Sequence, residues 1–306
     1  MGWLVNNYIV RGIANFFLGT GLIISQVAGD PELSAYKNLD FNKFTISSED
    51  GVTIVGTHIR SGRDCPAVAN RSGPPRRTVT QTFRSAVIII VHGICCFRKY
   101  PQILALAKDI SSKYDVITID MRGHGESSGE WTGGTKERTD IRIAIDYAKW
   151  LGYEKIGLIG FSAGGIASIG EEARSPALDA MVLVSMLSSP DKVKSGGGGL
   201  LCTNSVAIQA IGKVLVLPMG ARLGLPIKVA SPLSVVDKIN CPVLFIHGKN
   251  DWVIESKQSQ ILYNLANEPK KILILNSAEH AEALYWDKTK EFYSAVMDWF
   301  GKELDD

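Results

Sequence analysis

The chain has 306 residues, 45% of them hydrophobic, and its 33 Lys and Arg against 31 Asp and Glu leave a formal charge of +2. That length and apolar content suffice for the core of one large domain, while the near-balanced, scattered charge argues against a basic stripe for nucleic acid. Five cysteines (Cys65, Cys95, Cys96, Cys202 and Cys241) are odd in number and lack paired ligand spacing, so neither a disulfide framework nor a metal site is implied.

Residues 1–28 form a hydrophobic segment that is densest from Ile13 to Ile24. The dense part is shorter than the roughly 20 residues a bilayer demands, and reaches that length only if extended back to Tyr8 with Arg11 snorkelling. Three readings stay open: a membrane anchor or membrane-associated helix, a cleaved signal peptide ending near Val27-Ala28-Gly29, and an amphipathic helix packed on the body. The first places the protein at a membrane; the others leave it exported or cytoplasmic. Met1-Gly2 opens like a myristoylation signal, but Asn6 stands where Ser or Thr is required.

The body, 38–306, begins with an alternating pattern from Phe41 to Ile59 broken at Asp50-Gly51, which predicts an antiparallel hairpin at a sheet edge. Residues Gly62 to Arg84 carry Pro66, Pro74, Pro75 and no periodicity, and are expected to form a long surface loop. The β-branched runs Ala86–Val91 and Val116–Ile119 predict parallel strands covered on both faces, with further strands at 156–161, 180–185, 243–247 and 272–275. Helical segments separate them at about 101–111 and 136–150, the latter with Ile141, Ile145 and Ala148 on one stripe. Such alternation makes the fold class α/β: a doubly wound, mostly parallel sheet with ligands beyond the strands' carboxyl ends. Residues 186–236 interrupt it with a run of glycines (Gly196 to Gly199), apolar clusters and Pro218, Pro226 and Pro232. They are too apolar for a solvated loop and are expected to fold as short helices, either a lid over the strand ends or a helical cap without a gating role. In both cases the entrance is apolar, and substrate-binding residues are expected within this insertion.

The chemistry centres on Gly160-Phe161-Ser162-Ala163-Gly164, which joins the strand from Ile156 to a helix-compatible segment. A sharp strand-turn-helix of this kind holds its central residue in a strained conformation, tolerable only if the positions two before and two after carry almost no side chain. Gly160 and Gly164 meet that demand and leave Ser162 projecting. Asp251 follows the strand 243–247, and His280 follows 272–275, so all three fall at one sheet edge in the order Ser, Asp, His. Asp191 and Glu255 are rival acids, while His92, His124, His247 and His58 read as structural histidines. Cys95 and Cys96 read as small packing residues, although a reactive thiol beside the loop after Val91 is conceivable.

The stretches Val91-His92-Gly93, Asp120 to Ser127, Gly160 to Gly165, Pro242 to Asp251 and Glu279-His280 together resemble the α/β-hydrolases that include serine aminopeptidase-like hydrolases, monoacylglycerol lipases and lysophospholipases. That resemblance implies an α/β-hydrolase fold with Ser162 as nucleophile, His280 as general base and acid, and Asp251 orienting the imidazole. It also implies an oxyanion hole formed by the backbone N–H groups of Ile94 and Ala163. The expected activity is hydrolysis of a carboxylic ester with a hydrophobic or lipid-like acyl group, with thioester hydrolysis, aminopeptidase-like amide hydrolysis and a non-catalytic lipid- or partner-binding role as alternatives. No cofactor and no nucleic-acid partner are implied; the expected partner is a small-molecule ester, with membrane association through residues 1–28.

Overall fold

Runs of β-branched residues suit strands buried on both faces, and the sheet they build dominates the molecule. The computed structural model describes residues 41–61, 84–192 and 221–305, with single positions at 206, 210, 213, 214 and 217. Segment 1–28, nearly all of the loop from Gly62 and the middle of the 186–236 insertion lie outside the described residues.

The strands are β1 (Phe41–Ser47), β2 (Thr53–Ile59), β3 (Arg84–Val91), β4 (Asp115–Asp120), β5 (Tyr153–Phe161), β6 (Ala180–Val184), β7 (Val243–Gly248) and β8 (Lys270–Leu275). They form one eight-stranded sheet in the order β1-β2-β4-β3-β5-β6-β7-β8. β1 and β2 make the expected antiparallel hairpin at the edge, β2 runs antiparallel to β4, and every other pairing is parallel. Gly51 supplies the turn with φ 78°, and Asp50 beside it accepts from Arg122 Nη1 at 2.6 Å, tying the hairpin to the loop after β4.

Six helices accompany the sheet among the described residues: α1 (Pro101–Ile110), α2 (Glu137–Trp150), α3 (Ala163–Arg174), α4 (Lys257–Leu265), α5 (Ala283–Asp287) and α6 (Thr289–Leu304). Successive side chains of a strand point to opposite faces, and β3 sorts accordingly. Val87, Ile89 and Val91 join a core with Ile141, Ala144, Ile145 and Ala148 of α2, Ile166, Ala167 and Ile169 of α3 and Leu262 of α4. Ala86, Ile88 and Ile90 join the opposite core with Ile103, Leu106 and Ile110 of α1 and Phe292, Val296 and Phe300 of α6. The predicted stripe of α2 is thus the buried one.

The order change at β4-β3-β5 sets the functional geometry. The chain winds outward from β3 to β4 and then returns to β3's other side at β5, so the loops after β3 and β5 leave from adjacent strands, with Val91 opposite Gly160. A crevice at such a reversal is where open α/β sheets bind ligands.

The segment Asp120–Ser127 turns out to be scaffolding. Asp120 accepts from the Arg98 guanidinium, from the Arg98 N–H at 2.7 Å and from the Glu126 N–H at 2.9 Å. Arg122 donates to Asp140 at 2.8 Å as well as to Asp50. Of the predicted insertion, 221–230 is stitched to the loop after β4: Arg222 exchanges backbone bonds with Gly123 and Trp131 at 2.7 and 2.8 Å, and Ala230 N–H reaches Gly133 at 2.7 Å. Short 3-10 turns follow at Pro232–Ser234 and Val236–Lys238. No described helix is long and apolar enough to cross a membrane.

Candidate active site

Five non-glycine residues among those described adopt positive φ, namely Cys95, Ser162, Ser185, Ser277 and Ala281, and all lie in turns beyond the carboxyl ends of β3, β5, β6 and β8. Backbone strain of about 1–3 kcal/mol per residue persists only where surrounding structure enforces it, and its clustering marks one sheet edge as a functional candidate.

Ser162 stands between β5 and α3 at φ 45° and ψ −110°, with its N–H donating to Val184 at 2.8 Å and its carbonyl accepting from Ile166 at 3.0 Å. The flanking glycines are obligatory for contact reasons. A Cβ at Gly160 would lie 2.7 Å from the Gly165 Cα, and one at Gly164 would lie 2.5 Å from the His92 carbonyl oxygen. Gly164→Ala must therefore push α3 off the sheet. We expect it to destabilise the fold by about 2–3 kcal/mol, read as a lower denaturant midpoint; an unchanged midpoint would contradict this packing.

His280 lies beyond β8, and its Nε2 is 3.2 Å from Ser162 Oγ. Its Nδ1 is 2.6 Å from Asp251 Oδ2, and its side chain keeps 18% exposure, enough for contact with a bound molecule. Asp251, beyond β7, is almost fully enclosed. Its Oδ1 accepts from Val253 and Ile254 N–H at 2.9 and 2.8 Å, while Oδ2 also faces His247 Nε2 at 3.0 Å. Burial alone would favour the neutral acid, but the charge of His280 and the hydrogen bonds of both histidines overcome it and hold Asp251 well below the usual carboxylate range. For His280, burial opposes protonation, yet the Asp251 carboxylate outweighs it and raises the imidazole above its ordinary value.

The structure thus brings Ser162, His280 and Asp251 into one hydrogen-bonded chain. The N–H groups of Ile94 and Ala163 donate to no protein acceptor among the described residues. Their loops adjoin, because a Cβ at Gly93 would lie 3.5 Å from the Ser162 Cβ.

The rivals hold other bonds. Asp191 is exposed in the turn Pro190–Lys192, bonded to Ser189, and Glu255 pairs with Lys257. His92 is buried, its Nδ1 donating to Gly93 at 2.7 Å and its Nε2 accepting from Met121 N–H at 3.1 Å; burial depresses its pKa. His124 packs edge-on to it and is pushed down to about 3 by burial and by its neighbour. His58 bonds Tyr153 at 2.8 Å, at the start of β5 and far from Ser162. Burial pushes the Cys95 thiol up to about 12 and raises Cys96 as well, so neither is a ready thiolate. Among the described residues no cluster of three or more His, Cys, Asp or Glu side chains is arranged for a metal.

Two participants escaped the sequence reading. His247 is a satisfied structural histidine as expected, with Nδ1 to Ser259 Oγ at 2.6 Å, but its other nitrogen supports Asp251 itself. Glu282, two residues beyond His280, is only 6% exposed and accepts from Gly93 N–H.

Comparison with known proteins follows the same lines. A family model described as alpha/beta hydrolase fold matches residues 86–169. An uncharacterised protein of Bacillus subtilis (strain 168), YqkD, is 25% identical over 290 residues, 91% of this chain and 85% of its own. Among solved structures, the Pyrococcus furiosus esterase Pf2001 superposes with a TM-score of 0.66 at 20% identity, covering 89% of this chain and 95% of its own. Est1E of Butyrivibrio proteoclasticus, solved with ferulic acid bound, gives 0.64 at 19% identity over 86% of this chain and 100% of its own. With its central β3 to α3 unit matched by the family model and the fold as a whole superposing on these structures, the chain has the α/β-hydrolase fold.

Proposed function

We propose that the protein is a serine hydrolase that cleaves small-molecule carboxylic esters through an acyl-enzyme, the ester carrying a hydrophobic acyl group. The observation that carries this reading is the unbroken chain from Ser162 Oγ to His280 Nε2 at 3.2 Å and from His280 Nδ1 to Asp251 Oδ2 at 2.6 Å. In the proposed reaction, Oγ attacks the ester carbonyl as Nε2 takes its proton. The carbonyl oxygen gains negative charge and accepts from the Ile94 and Ala163 N–H groups, aided by the positive end of α3; each such donor is typically worth roughly 3 kcal/mol. Collapse breaks the C–O bond, and Nε2–H passes its proton to the departing alkoxide. A water then repeats the sequence on the acyl-enzyme, releasing the acid and restoring Ser162. Asp251 fixes the His280 tautomer and stabilises the imidazolium.

Support for an apolar acyl group comes from the insertion, where Val206, Val214, Leu217 and Leu225 are 51%, 70%, 56% and 37% exposed. Exposed apolar side chains in an insertion that leaves the sheet beyond the carboxyl end of β6 favour a ligand with an apolar part. The solved neighbour named as an esterase, Pf2001, supports an ester as the substrate class. The test is kcat/KM on p-nitrophenyl esters of rising chain length, with a thioester and an aminoacyl amide in parallel. Esters are expected to be the best substrates, with longer acyl chains favoured over acetate. Preference for the aminoacyl amide would overturn the substrate class and leave the nucleophile in place.

The pH profile has a defined sign. His280 must be neutral to take the Ser162 proton, and Asp251 raises its pKa, so kcat/KM should fall as pH drops through a value above the ordinary 6.5. An acidic limb lying well below 6.5 would mean that His280 is not the base.

A further inference from the structure

We propose that Glu282 is a positioning residue for acyl transfer: its carboxylate clamps the turn Gly93–Cys96 so that the Ile94 N–H is held where the oxyanion develops. This rests on the reading of Ser162 as nucleophile and adds a group outside the Ser-His-Asp chain.

The clamp is built from a long-range contact. Glu282 belongs to the turn that carries His280, yet it accepts from the N–H of Gly93, 189 positions earlier in the chain. The turn reverses at Ala281, at φ 49°, whose N–H donates to Ser185 Oγ at 2.9 Å. Two ties therefore fix the His280 turn, one to the end of β6 and one to the loop after β3. The Cys96 N–H donates to the Gly93 carbonyl at 3.4 Å, so the turn Gly93–Cys96 closes on the very residue that Glu282 holds. Within that turn lies Ile94, whose N–H stays uncommitted.

Gly93 makes the fit clear. A Cβ there would lie 3.1 and 3.3 Å from the two Glu282 oxygens and 3.5 Å from the Ser162 Cβ. Carboxylate and nucleophile flank one glycine, and any side chain at 93 would separate them.

A buried carboxylate has a desolvation cost, and negative charge close to a developing oxyanion opposes it. An apolar side chain at 282 would incur neither penalty. What the carboxylate supplies is a charge-assisted acceptor, stronger than a neutral one, on a backbone N–H that would otherwise be free to let the turn relax. A donor displaced by about 1 Å loses on the order of a hundredfold in rate. The function of Glu282 is thus reach and acceptance, not proton transfer.

The experiment separates reach from charge. Glu282→Gln keeps the length and an acceptor oxygen, Glu282→Asp keeps the charge but withdraws it by one methylene, and Glu282→Ala removes both. On p-nitrophenyl butyrate, the Asp and Ala variants are expected to lose about a hundredfold in kcat with KM within about threefold, whereas Gln should stay within about fivefold of wild type. Fluorophosphonate labelling rates should fall in the same order, and thermal unfolding checks that the Asp and Gln variants are folded. If Gln is as impaired as Asp, or if Asp and Ala keep wild-type kcat while only the unfolding temperature drops, the clamp is wrong. Should Ala fail to fold, the Gln and Asp pair still decides. Wild-type protein that hydrolyses no ester and takes no probe would instead overturn the nucleophile reading beneath it.

Discussion

Ser162→Ala is expected to reduce kcat/KM on p-nitrophenyl butyrate by about 10⁵- to 10⁶-fold and to abolish labelling by a fluorophosphonate, while leaving the unfolding midpoint nearly unchanged. The size of the effect follows from the site's division of labour. In the proposed mechanism, loss of Oγ leaves no acyl-enzyme and gives His280 and Asp251 no proton to transfer; what remains is binding and whatever the Ile94 and Ala163 donors give to direct attack by water. The small effect on stability follows from the backbone. Ser162 is held at φ 45° by its neighbours, and alanine bears the same strain in the same place. Its hydroxyl has its bond to His280 Nε2, at 3.2 Å, and that bond faces a partly exposed imidazole, so losing it uncovers no buried unpaired charge. Mass spectrometry of the labelled wild type should place the adduct on Ser162. Labelling of the variant at the wild-type rate, or an adduct on another serine, would remove Ser162 from its role.

The parts of this site that could be read in the sequence are those where local chemistry forces the geometry. Gly160 is dictated by its contact with Gly165 in the same turn, and Gly164, which packs on the His92 carbonyl, falls in the same short pattern around Ser162, so the turn announces itself, and β-branched runs show where Asp251 and His280 leave their strands. What stayed hidden depends on distant partners. Glu282 is one acidic residue among many until the sheet order places β3 beside β5 and the His280 turn beside both. His247 was legible as a buried histidine, but nothing in Val243–Gly248 shows that its Nε2 meets the acid that follows it. Strand limits behaved likewise. β5 starts at Tyr153 and β8 at Lys270, earlier than apolar runs suggest, because pairing with Arg84 and Val243 recruits polar residues that periodicity discounts. The helix Lys257–Leu265 is not legible in the sequence either, since only Gln258, Ser259 and Leu262 are buried and its pattern is weakly apolar.

Asp251→Asn is expected to lower kcat by about 10⁴-fold with little change in KM, and the reason is specific to how this carboxylate is held. Oδ1 accepts two backbone N–H groups, from Val253 at 2.9 Å and Ile254 at 2.8 Å, while Oδ2 faces His280 Nδ1 and His247 Nε2. An asparagine has one acceptor oxygen, and the two backbone donors claim it. Its NH₂ group must then point at both histidines. His280 can accept from that group only by placing its own proton on Nε2, which turns an N–H toward Ser162 Oγ in place of a lone pair. The base is lost though every heavy atom keeps its place. His247 can still donate to the Ile254 carbonyl at 2.9 Å and accept from Ser259, so the surrounding loop has the means to stay folded. The same substitution at the rival acid, Asp191→Asn, should leave kcat within about twofold, since its carboxylate is exposed and bonded to Ser189. Steady-state kinetics of the two variants decide between them. A large loss at 191 with little at 251 would transfer the orienting role to the turn after β6, and raising the pH should rescue Asp251→Asn only in so far as hydroxide replaces the missing base.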